Sequence, residues 1–369
     1  MELSIIILNY KVPYHLMLCL DSVQKAIAKL DAEVIVVDNN SQDESAAMVS
    51  EHFPEVKLIE NPVNSGFSKG NNLGVAQAKG KYICLLNPDT VVGEQCFKNF
   101  LTYARLNKDL GAMGPRLIDG LGEFLPESKR NVPVPIIALK KIIGIKKSYY
   151  SSVHFAKHGA IEVLVGAFMM MRKDRYLEVG GLDEDYFMYG EDIDLSYKFL
   201  KAGYQNYYLG TERVLHFKGE SSPKDEVYRE RFFGAMHIFY QKHFKNSLAW
   251  LVKPTLSLAG FLYGIKPDSK EKKSTIKQVL LIGATPGLQR EMGKKFDIPI
   301  HAADKKLVMK KAFGHSLFVL NAEKLTYEEI LYLMNTQKNK YNNFRIKPTG
   351  FSFVLGSDSS TTQGQMIKF

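Results

Sequence analysis

The first 120 residues of the chain alternate short apolar runs with longer stretches of helical periodicity. The apolar runs cover 3–8, 33–37, 56–59 and 81–86, and amphipathic stretches cover 14–30, 43–52, 67–78 and 94–107. Short strands that alternate with helices predict an α/β fold with a parallel, doubly wound sheet. Because ligands of such sheets bind at the carboxyl ends of the strands, the polar residues directly after each run are the first candidates for a binding site.

The pattern changes after residue 120. Three prolines and a basic, apolar stretch over 136–143 predict a long insertion at about 121–160 that contains one amphipathic helix. We then predict strands over 162–172 and 213–217, and a short helix that ends at Gly180-Gly181. Two further helices are predicted over 191–202, stopped by Gly203, and over 225–244.

The C-terminal part of the chain follows a Lys-rich segment interrupted by Pro254 and Pro267. We predict a domain over 1–246, a basic and apolar linker over 247–275 that could lie on a membrane surface, and a small α/β domain over 276–369. The small domain has predicted strands at 279–282, 317–320 and 352–355 and a helix over 327–336. The last dozen residues are typical of a loose tail.

The net charge of +10 over 369 residues is concentrated in two places. Residues 128–158 hold seven Lys or Arg and no acidic residue, and residues 241–277 have a net charge of +6. Two such patches indicate an anionic contact, either lipid headgroups or phosphates. The hydrophobic content of 45% excludes a disordered chain.

Further features bear on the cellular compartment. The three cysteines have no zinc-motif spacing and are odd in number, which favours a reducing, cytoplasmic compartment. The N-terminus enters a strand without a basic region, so we expect no signal peptide. The longest apolar stretch, 249–265, contains Lys253 and Pro254 and is shorter than the ~20 residues that span a bilayer, so we expect no transmembrane helix.

Two strand ends carry candidate chemistry. Asn87-Pro88-Asp89 follows the run that ends at Leu86, and a carboxylate there can bind a divalent cation that holds a diphosphate. The same residues are strong turn formers. Asp38 ends the second run and either accepts hydrogen bonds from a base or ribose or caps the helix near Asp43. From the residues alone, both interpretations stay open at each position.

Three later segments carry further candidates. Residues 64–72 open a helix with small residues and a lysine, which suits an anion but lacks the spacing of a phosphate loop. The cluster 190–194 begins a helix, where carboxylates also stabilise the helix dipole, but the aromatic approach 185–189 predicts a partly apolar cleft. Such a cleft can raise a carboxylate's pKa towards that of a general base. His216, at the end of a strand, is either structural or completes a metal site.

Six motifs occur in a characteristic order along the chain. They are Ser4 to Tyr10, Val36 to Ser41, Asn64-Ser65-Gly66-Phe67 with Gly70-Asn71-Asn72, Asn87-Pro88-Asp89, Gly180 to Asp183 with Phe187 to Leu195, and His216 to Ser221. In this order the chain resembles glycosyltransferase family 2, in particular its bacterial rhamnosyltransferase-like members, over residues 1 to about 245.

The resemblance implies a GT-A fold and an inverting transfer of a sugar, rhamnose among the candidates, from a nucleoside-diphosphate sugar. The acceptor would be a hydroxyl of a saccharide in bacterial cell-surface polysaccharide synthesis. This agrees with the chemistry of the residues, since a hydroxyl needs a carboxylate to take its proton and a leaving diphosphate develops charge that a cation stabilises. A single in-line displacement needs only one catalytic carboxylate.

The resemblance also implies roles for single residues. Asp192 would be the catalytic base, with Glu191 beside it, and Asp89 and His216 would lie at a divalent metal, Mg²⁺ or Mn²⁺. Tyr10 and Asp38 would hold the base and ribose. The residues expected to bind the donor nucleotide are Asn9, Tyr10, Asp38, Asn40, Gly66, Asn71 and Asn87. The chain departs from the family pattern at Asn87, which stands where the metal motif has its first Asp.

The basic patches decide which partners we expect. Their lysines are interleaved with aliphatic rather than stacking side chains, which favours a membrane over nucleic acid. We therefore expect a lipid-linked acceptor and a peripheral, cytoplasmic protein at the inner face of the cell membrane. The alternative is that these aliphatic residues simply cover the core.

Other functions compete with sugar transfer. A dehydrogenase or a sugar nucleotidyltransferase needs a glycine-rich turn after the first strand, where this chain has Asn9 to Pro13, and a processive synthase needs transmembrane helices. Two alternatives remain open: a catalytically silent module that binds a nucleotide sugar or glycan, which Asn87 favours, and a nucleic-acid-binding protein, which the basic charge favours.

Overall fold

The computed structural model describes residues 1–137, 148–217, 226–244, 275–339, 341–358 and 364–369. Within these ranges the chain forms two β-sheets. The first contains β1 (Leu3–Asn9), β2 (Ala32–Asp38), β3 (Lys57–Glu60), β4 (Tyr82–Leu86), β5 (Thr90–Val92), β6 (Leu110–Ile118), β7 (His158–Ile161), β8 (Phe168–Arg172) and β9 (Gln205–His216). The second contains β10 (Gln278–Ile282), β11 (Ile300–Ala303), β12 (Ser316–Asn321), β13 (Asn343–Lys347), β14 (Phe353–Gly356) and β15 (Gln365–Lys368).

Helices connect most of these strands. In the part of the chain that forms the first sheet they are α1 (Pro13–Ile27), α2 (Ser45–His52), α3 (Gly66–Gln77), α4 (Cys96–Leu106), α5 (Lys173–Glu178), α6 (Glu191–Lys201) and α7 (Glu226–His243). In the C-terminal part they are α8 (Pro286–Lys295), α9 (Lys305–Lys310) and α10 (Tyr327–Gln337).

The first sheet brings the candidate strand ends together. Its order is β3-β2-β1-β4-β8-β6-β9-β5, with β7 paired to β9 outside this path. Strands β3, β2, β1 and β4 are parallel, and the register sets Asn9 opposite Asp38. Every residue of β1 and β4 is buried, which is why these strands read as continuous apolar runs. The predicted α/β class with a doubly wound, mostly parallel sheet is confirmed.

Several later strands differ from the prediction. The strand predicted over 162–172 is wrong, because β8 covers only Phe168–Arg172 and His158–Ile161 forms the separate β7. The short strand predicted over 213–217 is the end of the twelve-residue β9. Strand β6 was not predicted because Gly111, Gly114 and Pro115 interrupt its apolar run, although all nine residues are buried.

The C-terminal sheet has the order β11-β10-β12-β13-β14-β15. Its first four strands are parallel, and β14 and β15 are antiparallel additions. The three predicted strands and the helix α10 are confirmed, whereas β11 and β13 were not predicted. The predicted loose tail is wrong for Gln365–Lys368, which pairs with β14, and residues 359–363 lie outside the described residues.

The C-terminal sheet packs against the first sheet through α10. The side chain of Glu94, which follows β5, accepts hydrogen bonds from the backbone N–H groups of Tyr327 (2.7 Å) and Glu328 (2.9 Å). The Tyr327 hydroxyl donates to buried Asp21 of α1 at 2.5 Å, and the Thr349 backbone N–H donates to the same carboxylate at 2.8 Å. Glu94 follows Asp89 in the chain with β5 between them.

No helix within the described ranges is long and apolar enough to cross a membrane. The amphipathic helix predicted over 136–143 falls mostly on residues 138–147, and the linker predicted over 247–275 falls mostly on 245–274; both stretches lie outside the described residues. Ile136, directly before the first stretch, is 57% exposed.

Candidate active site

The ends of β1 and β2 form one hydrogen-bonded group. The Asn9 Nδ2 atom donates to Asp38 Oδ1 at 2.9 Å and to the Ser41 hydroxyl at 3.1 Å. Asp38 also accepts from the Ser41 hydroxyl (2.5 Å) and the Ser41 N–H (3.0 Å). Asp38 therefore does not cap α2, which begins at Ser45. Its carboxylate is fixed in a rigid loop at the edge of the sheet, where a ligand of the sheet would bind.

Asn39 ties this loop to the segment before α3. Its side-chain oxygen accepts from the Asn61 amide (2.8 Å) and the Ser65 N–H (3.1 Å), and its Nδ2 atom donates to Asn64 Oδ1 at 2.9 Å. Asn39 uses both the donor and the acceptor side of its amide, so it holds the segment in one arrangement.

Gly66 lies where this segment meets the aromatic loop 185–189. Its φ of +82° favours glycine, and an added Cβ would lie 2.5 Å from the Phe187 carbonyl oxygen. That carbonyl accepts a hydrogen bond from the Phe67 N–H at 2.6 Å. The predicted importance of Gly66 therefore has a steric reason: only glycine lets the start of α3 contact the loop that leads to Glu191.

Asp89 and His216 lie side by side. The Asp89 carboxylate is 4% exposed, and its Oδ1 atom lies 3.4 Å from His216 Nε2. This contact follows from the register, because Thr90 of β5 pairs with His216 of β9. Burial would raise the pKa of Asp89, but His216, His15 and a backbone hydrogen bond outweigh it and hold that pKa below its usual value. Asp89 is thus ionised.

The second acidic group lies at the N-terminus of α6. Glu191 and Asp192 are 6% and 8% exposed, and Asp192 forms a buried ion pair with Arg130, whose Nη2 atom lies 2.7 Å from Asp192 Oδ2. The Gly166 N–H donates to the same oxygen at 3.1 Å. Glu191 Oε2 has no hydrogen-bond partner among the described residues. Burial and the charge of Asp192 raise the pKa of Glu191 to about 8.

One short stretch of backbone connects the two groups. The Asn87 N–H donates to the carbonyl of Ala167 at 3.0 Å, and the N–H of the preceding residue, Gly166, donates to Asp192. A Cβ added to Gly166 would lie 3.5 Å from Asp192 Cβ, 3.6 Å from Glu191 Oε1 and 3.7 Å from the ring of Phe67. The loop with Asn87, the start of α3 and the carboxyl pair therefore border one region.

The third acid of the cluster has a structural environment. Asp194 is 1% exposed, and its Oδ1 atom lies 2.6 Å from His243 Nε2 of α7. Lys198 lies 3.2 Å from its other oxygen. Burial would raise the pKa of Asp194, but His243 and Lys198 outweigh it and lower that pKa. Asp194 therefore fastens α7 to α6 rather than facing the region beside Gly166.

The remaining predicted residues lie nearby with less defined contacts. Tyr10 is half-buried, with Lys11 Nζ 5.3 Å from its ring centroid, and Asn40 adopts a left-handed conformation with φ +63°. Asn71 is buried and donates to the Phe67 carbonyl within α3 at 2.9 Å, so its side chain supports the helix.

Sequence reasoning missed three residues at this site. Arg130 was counted only as one of seven basic residues in a patch, Gly166 belonged to a stretch predicted as a strand, and His15 belonged to a helix. Burial lowers the pKa of His15 to about 4, against the opposing effect of the nearby Asp89 charge. The signal that could have found Arg130 is its position between Pro126 and Pro133, away from the lysines of 140–147.

The donor set at Asp89 suits a divalent cation. An ionised carboxylate oxygen and an imidazole nitrogen are ordinary ligands of Mn²⁺ or Mg²⁺, and two protein ligands leave positions for diphosphate oxygens and water. No group of three or more His, Cys, Asp or Glu side chains that could hold a metal occurs in the part of the chain that the structure describes. Asn87 in place of a first Asp agrees with this small ligand number.

Comparison with known proteins adds independent information. Residues 4–180 match the family model described as "Glycosyl transferase family 2". An N-acetylglucosaminyl-diphospho-decaprenol L-rhamnosyltransferase of Mycobacterium tuberculosis is 24% identical over 283 residues, which cover 70% of this chain and 92% of that protein. The rhamnosyltransferase WbbL of Escherichia coli is 25% identical over 209 residues, 53% of this chain and 79% of that protein.

Among solved structures, GalNAc-T7 with UDP, GalNAc and Mn²⁺ matches with a TM-score of 0.48 and 15% identity. That match covers 61% of this chain and 44% of the other chain.

Proposed function

Because residues 4–180 place this chain in glycosyltransferase family 2, as a rhamnosyltransferase-like glycosyltransferase, we propose that it moves a sugar from a nucleoside-diphosphate sugar to a saccharide hydroxyl with inversion. One observation carries the proposal. The backbone link from Asn87 through Ala167 and Gly166 to Asp192 brings the loop that carries Asn87 and a buried carboxyl pair to the same region. A displacement needs the leaving group and the base this close together.

Different residues bind the nucleoside and take the proton of the acceptor. The loop formed by Asn9, Asp38 and Ser41, together with Tyr10 and Asn40, holds the nucleoside. Asp192 takes the proton of the acceptor hydroxyl as the oxygen attacks the anomeric carbon, and the nucleoside diphosphate leaves from the opposite side. A general base of this kind contributes about 10²–10⁴-fold to the rate.

Asp89 and His216 would hold a divalent cation next to the diphosphate. Such a cation supplies positive charge that stabilises the leaving group. Three features support its binding: the ionised state of Asp89, the 3.4 Å approach of His216 and the backbone hydrogen bond from the Phe217 N–H to the Asp89 carbonyl, which fixes the loop.

The names of the relatives suggest the substrates. The mycobacterial relative carries decaprenol and L-rhamnose in its name, and we propose by analogy that this chain transfers rhamnose or another hexose to a lipid-linked saccharide in cell-surface glycan synthesis. A lipid-linked acceptor lies at a membrane, so we further propose peripheral attachment at the inner membrane face. The exposed Ile136 beside the basic stretch 140–147 supports this.

A donor panel tests the proposed reaction. Uridine, thymidine and guanosine diphosphate sugars are supplied with Mn²⁺, with and without a diphosphate-linked saccharide on a polyprenol, and nucleoside diphosphate release is measured. We expect release from at least one donor, stimulated by the acceptor and abolished in Asp89→Ala. Binding of a nucleotide sugar without any release would contradict the proposal and favour the silent binding module.

Vesicle flotation tests the membrane contact. The variant reverses Lys140, Lys141, Lys146 and Lys147 to Glu. The matched control reverses four exposed lysines of the C-terminal sheet's helices, which are Lys294, Lys295, Lys306 and Lys310. Each basic residue near an anionic surface contributes about 1 kcal/mol, so we expect wild type and control to float at low salt and the first variant to remain in solution. Equal flotation of all three proteins, or none, would contradict the attachment.

A further inference from the structure

Arg130 occupies an unusual position for a basic residue. It lies in the predicted insertion, where the other basic residues are lysines, yet its side chain is only 10% exposed. Its backbone N–H donates to the Val163 carbonyl at 3.0 Å, and the Val163 N–H donates back to the Arg130 carbonyl at 3.0 Å. Its guanidinium also donates to the Leu164 carbonyl. Both the backbone and the side chain of Arg130 are thus hydrogen-bonded to the segment between β7 and β8.

The two carboxylate oxygens of Asp192 accept different hydrogen bonds. Oδ2 accepts from the Arg130 guanidinium at 2.7 Å and from the Gly166 N–H at 3.1 Å. Among the described residues, Oδ1 accepts only from the adjacent N–H of Ile193, at 2.7 Å. Two donors on one oxygen restrict the rotation of the carboxylate, and the other oxygen keeps lone-pair capacity for a hydroxyl.

The charges at this point are unequal. Two adjacent carboxyls, Glu191 and Asp192, are buried against a single cation, Arg130. Burial would lower the pKa of Arg130, but Asp192 and Tyr149 outweigh it and raise that pKa above its usual value, so the guanidinium stays charged. Arg130 can neutralise one carboxylate, and its guanidinium contacts Asp192, whereas Glu191 Oε2 has no hydrogen-bond partner among the described residues. Burial and the charge of Asp192 raise the pKa of Glu191.

Resting on the function proposed above, we propose that Arg130 is a positioning residue for sugar transfer, which fixes the Asp192 carboxylate so that Oδ1 faces the acceptor hydroxyl. The guanidinium donates to Oδ2 at 2.7 Å and places a positive charge against this carboxylate. Removing a cation from beside a carboxylate favours the protonated form, so loss of Arg130 should change the pH dependence of transfer as well as the position of Oδ1.

The other titratable groups near Asp192 and Arg130 are held by their own partners or stay neutral. On α6, Asp194 is bound by His243 and Lys198. Burial and the charge of Asp194 raise the pKa of Tyr186 far above its usual value, so Tyr186 stays neutral. Tyr149 interacts with Arg130. Arg130 is therefore the one group of this set whose charge opposes the Asp192 carboxylate directly.

The test compares Arg130→Met, which removes the charge, with Arg130→Lys, which keeps it without the planar guanidinium. Arg345→Lys is the matched control, because Arg345 is also buried and ion-paired, at 2.6 Å to Asp358, but lies in the C-terminal sheet. The kcat, the donor KM and the pH dependence of kcat are measured on folded protein, with Asp192→Asn run in parallel.

We expect kcat to fall at least 100-fold in Arg130→Met with the acidic limb of its pH profile moved upward, and donor KM to stay within about twofold. Arg130→Lys should restore part of the rate, and the control should keep the wild-type profile. If Arg130→Met does not fold, the shifted profile of Arg130→Lys carries the test.

Two results would overturn the proposal, and they differ. If Asp192→Asn loses transfer while both Arg130 variants keep the wild-type pH profile at rates that follow their folded fraction, Arg130 is only structural. If Asp192→Asn transfers normally, the proposed base is wrong, and the role of Arg130 fails with it.

Discussion

Two buried acidic groups in this chain have opposite surroundings. Asp21, where the two sheets meet, accepts from the Tyr327 hydroxyl at 2.5 Å and the Thr349 N–H at 2.8 Å, with Lys25 3.7 Å away. Glu191, next to Asp192, is as deeply buried, but its Oε2 atom has no partner within the described ranges. The buried Asp21 carboxyl has hydrogen-bond donors. Glu191 Oε2 has none among the described residues, so its burial costs folding free energy.

The difference separates a structural contact from a candidate reaction site. Buried polar groups in a folded protein are normally hydrogen-bonded, so an unsatisfied carboxyl beside a second one indicates a function that uses it. At the interface, polar groups join α1, the segment after β5 and α10. At the N-terminus of α6, close to Gly166, the Glu191 Oε2 atom has no hydrogen-bond partner among the described residues. The following predictions test this contrast, from the largest expected effect to the smallest.

Removing the Asp89 carboxylate should have the largest effect. In Asp89→Ala we expect kcat in Mn²⁺ to fall about 10³-fold, because a cation at the diphosphate supplies several kcal/mol of charge stabilisation. The matched control is Asp21→Asn, which also neutralises a buried aspartate but should lower stability and leave kcat unchanged. Full wild-type activity in EDTA would remove the metal from the account.

The pH dependence of stability should report Glu191. Its pKa is about 8 in the folded chain and near 4.5 when unfolded, so the folded state binds more protons between these values and stability falls as pH rises. The loss by pH 8 should be on the order of 3 kcal/mol. Glu191→Gln should therefore flatten the wild-type curve of unfolding free energy between pH 5 and 8.

Glu323→Gln is the control for that curve. Lys347, 2.6 Å from Glu323, lowers the pKa of this carboxyl, so its contribution is present at neutral pH and is lost on acidification. The substitution should destabilise the protein at pH 7, opposite in sign to Glu191→Gln. A Glu191→Gln variant with the wild-type pH dependence would show that Glu191 is not protonated in the folded chain.

Filling the open side of the carboxyl pair should slow transfer. The methyl group of Gly166→Ala meets neighbours at 3.5 Å or more, so the variant should fold, but the methyl would occupy space beside Asp192. We expect about a 30-fold loss of kcat/KM for the acceptor, roughly 2 kcal/mol, with unchanged melting temperature. Gly234→Ala, where an added Cβ meets nothing within 4 Å, is the steric control. An unchanged kcat/KM in Gly166→Ala would mean that the acceptor binds elsewhere.

The interface should respond in stability alone. Tyr327→Phe removes one buried hydrogen bond to Asp21 and leaves the rest of the contact, so we expect a loss of about 1–2 kcal/mol in the free energy of unfolding. Chemical denaturation measures this, and kcat at 25 °C should stay at the wild-type value. A large fall in kcat with little change in stability would mean that the C-terminal sheet acts on the Asp89 loop.

The sequence was sufficient wherever the signal is local. Strands β1, β2 and β4 are continuous apolar runs because both of their faces are buried, and the polar residues after them could be assigned to one sheet edge. Strand β15 was not predicted because it is an edge strand with exposed and half-buried residues. Its pairing with β14 depends on residues that are not adjacent in sequence.

The site itself was only partly predictable. The acidic cluster at the start of α6 is visible in the sequence, but the division of labour within it is not. Arg130 and Asp192 lie 62 residues apart, and no local pattern indicates that one basic residue of a charged segment folds inward to pair with a carboxylate. Likewise, that Asp194 serves α7 while Asp192 faces Gly166 depends on the position of His243.

The central claim is that Asp192 is the base of a sugar transfer at this edge of the sheet, and Asp192→Asn tests it most directly. The amide keeps the shape of the side chain but cannot take a proton. We predict that transfer to the acceptor falls by about 10²–10⁴-fold, while calorimetry shows donor affinity within about twofold of wild type. A variant that transfers sugar at the wild-type rate would contradict the account.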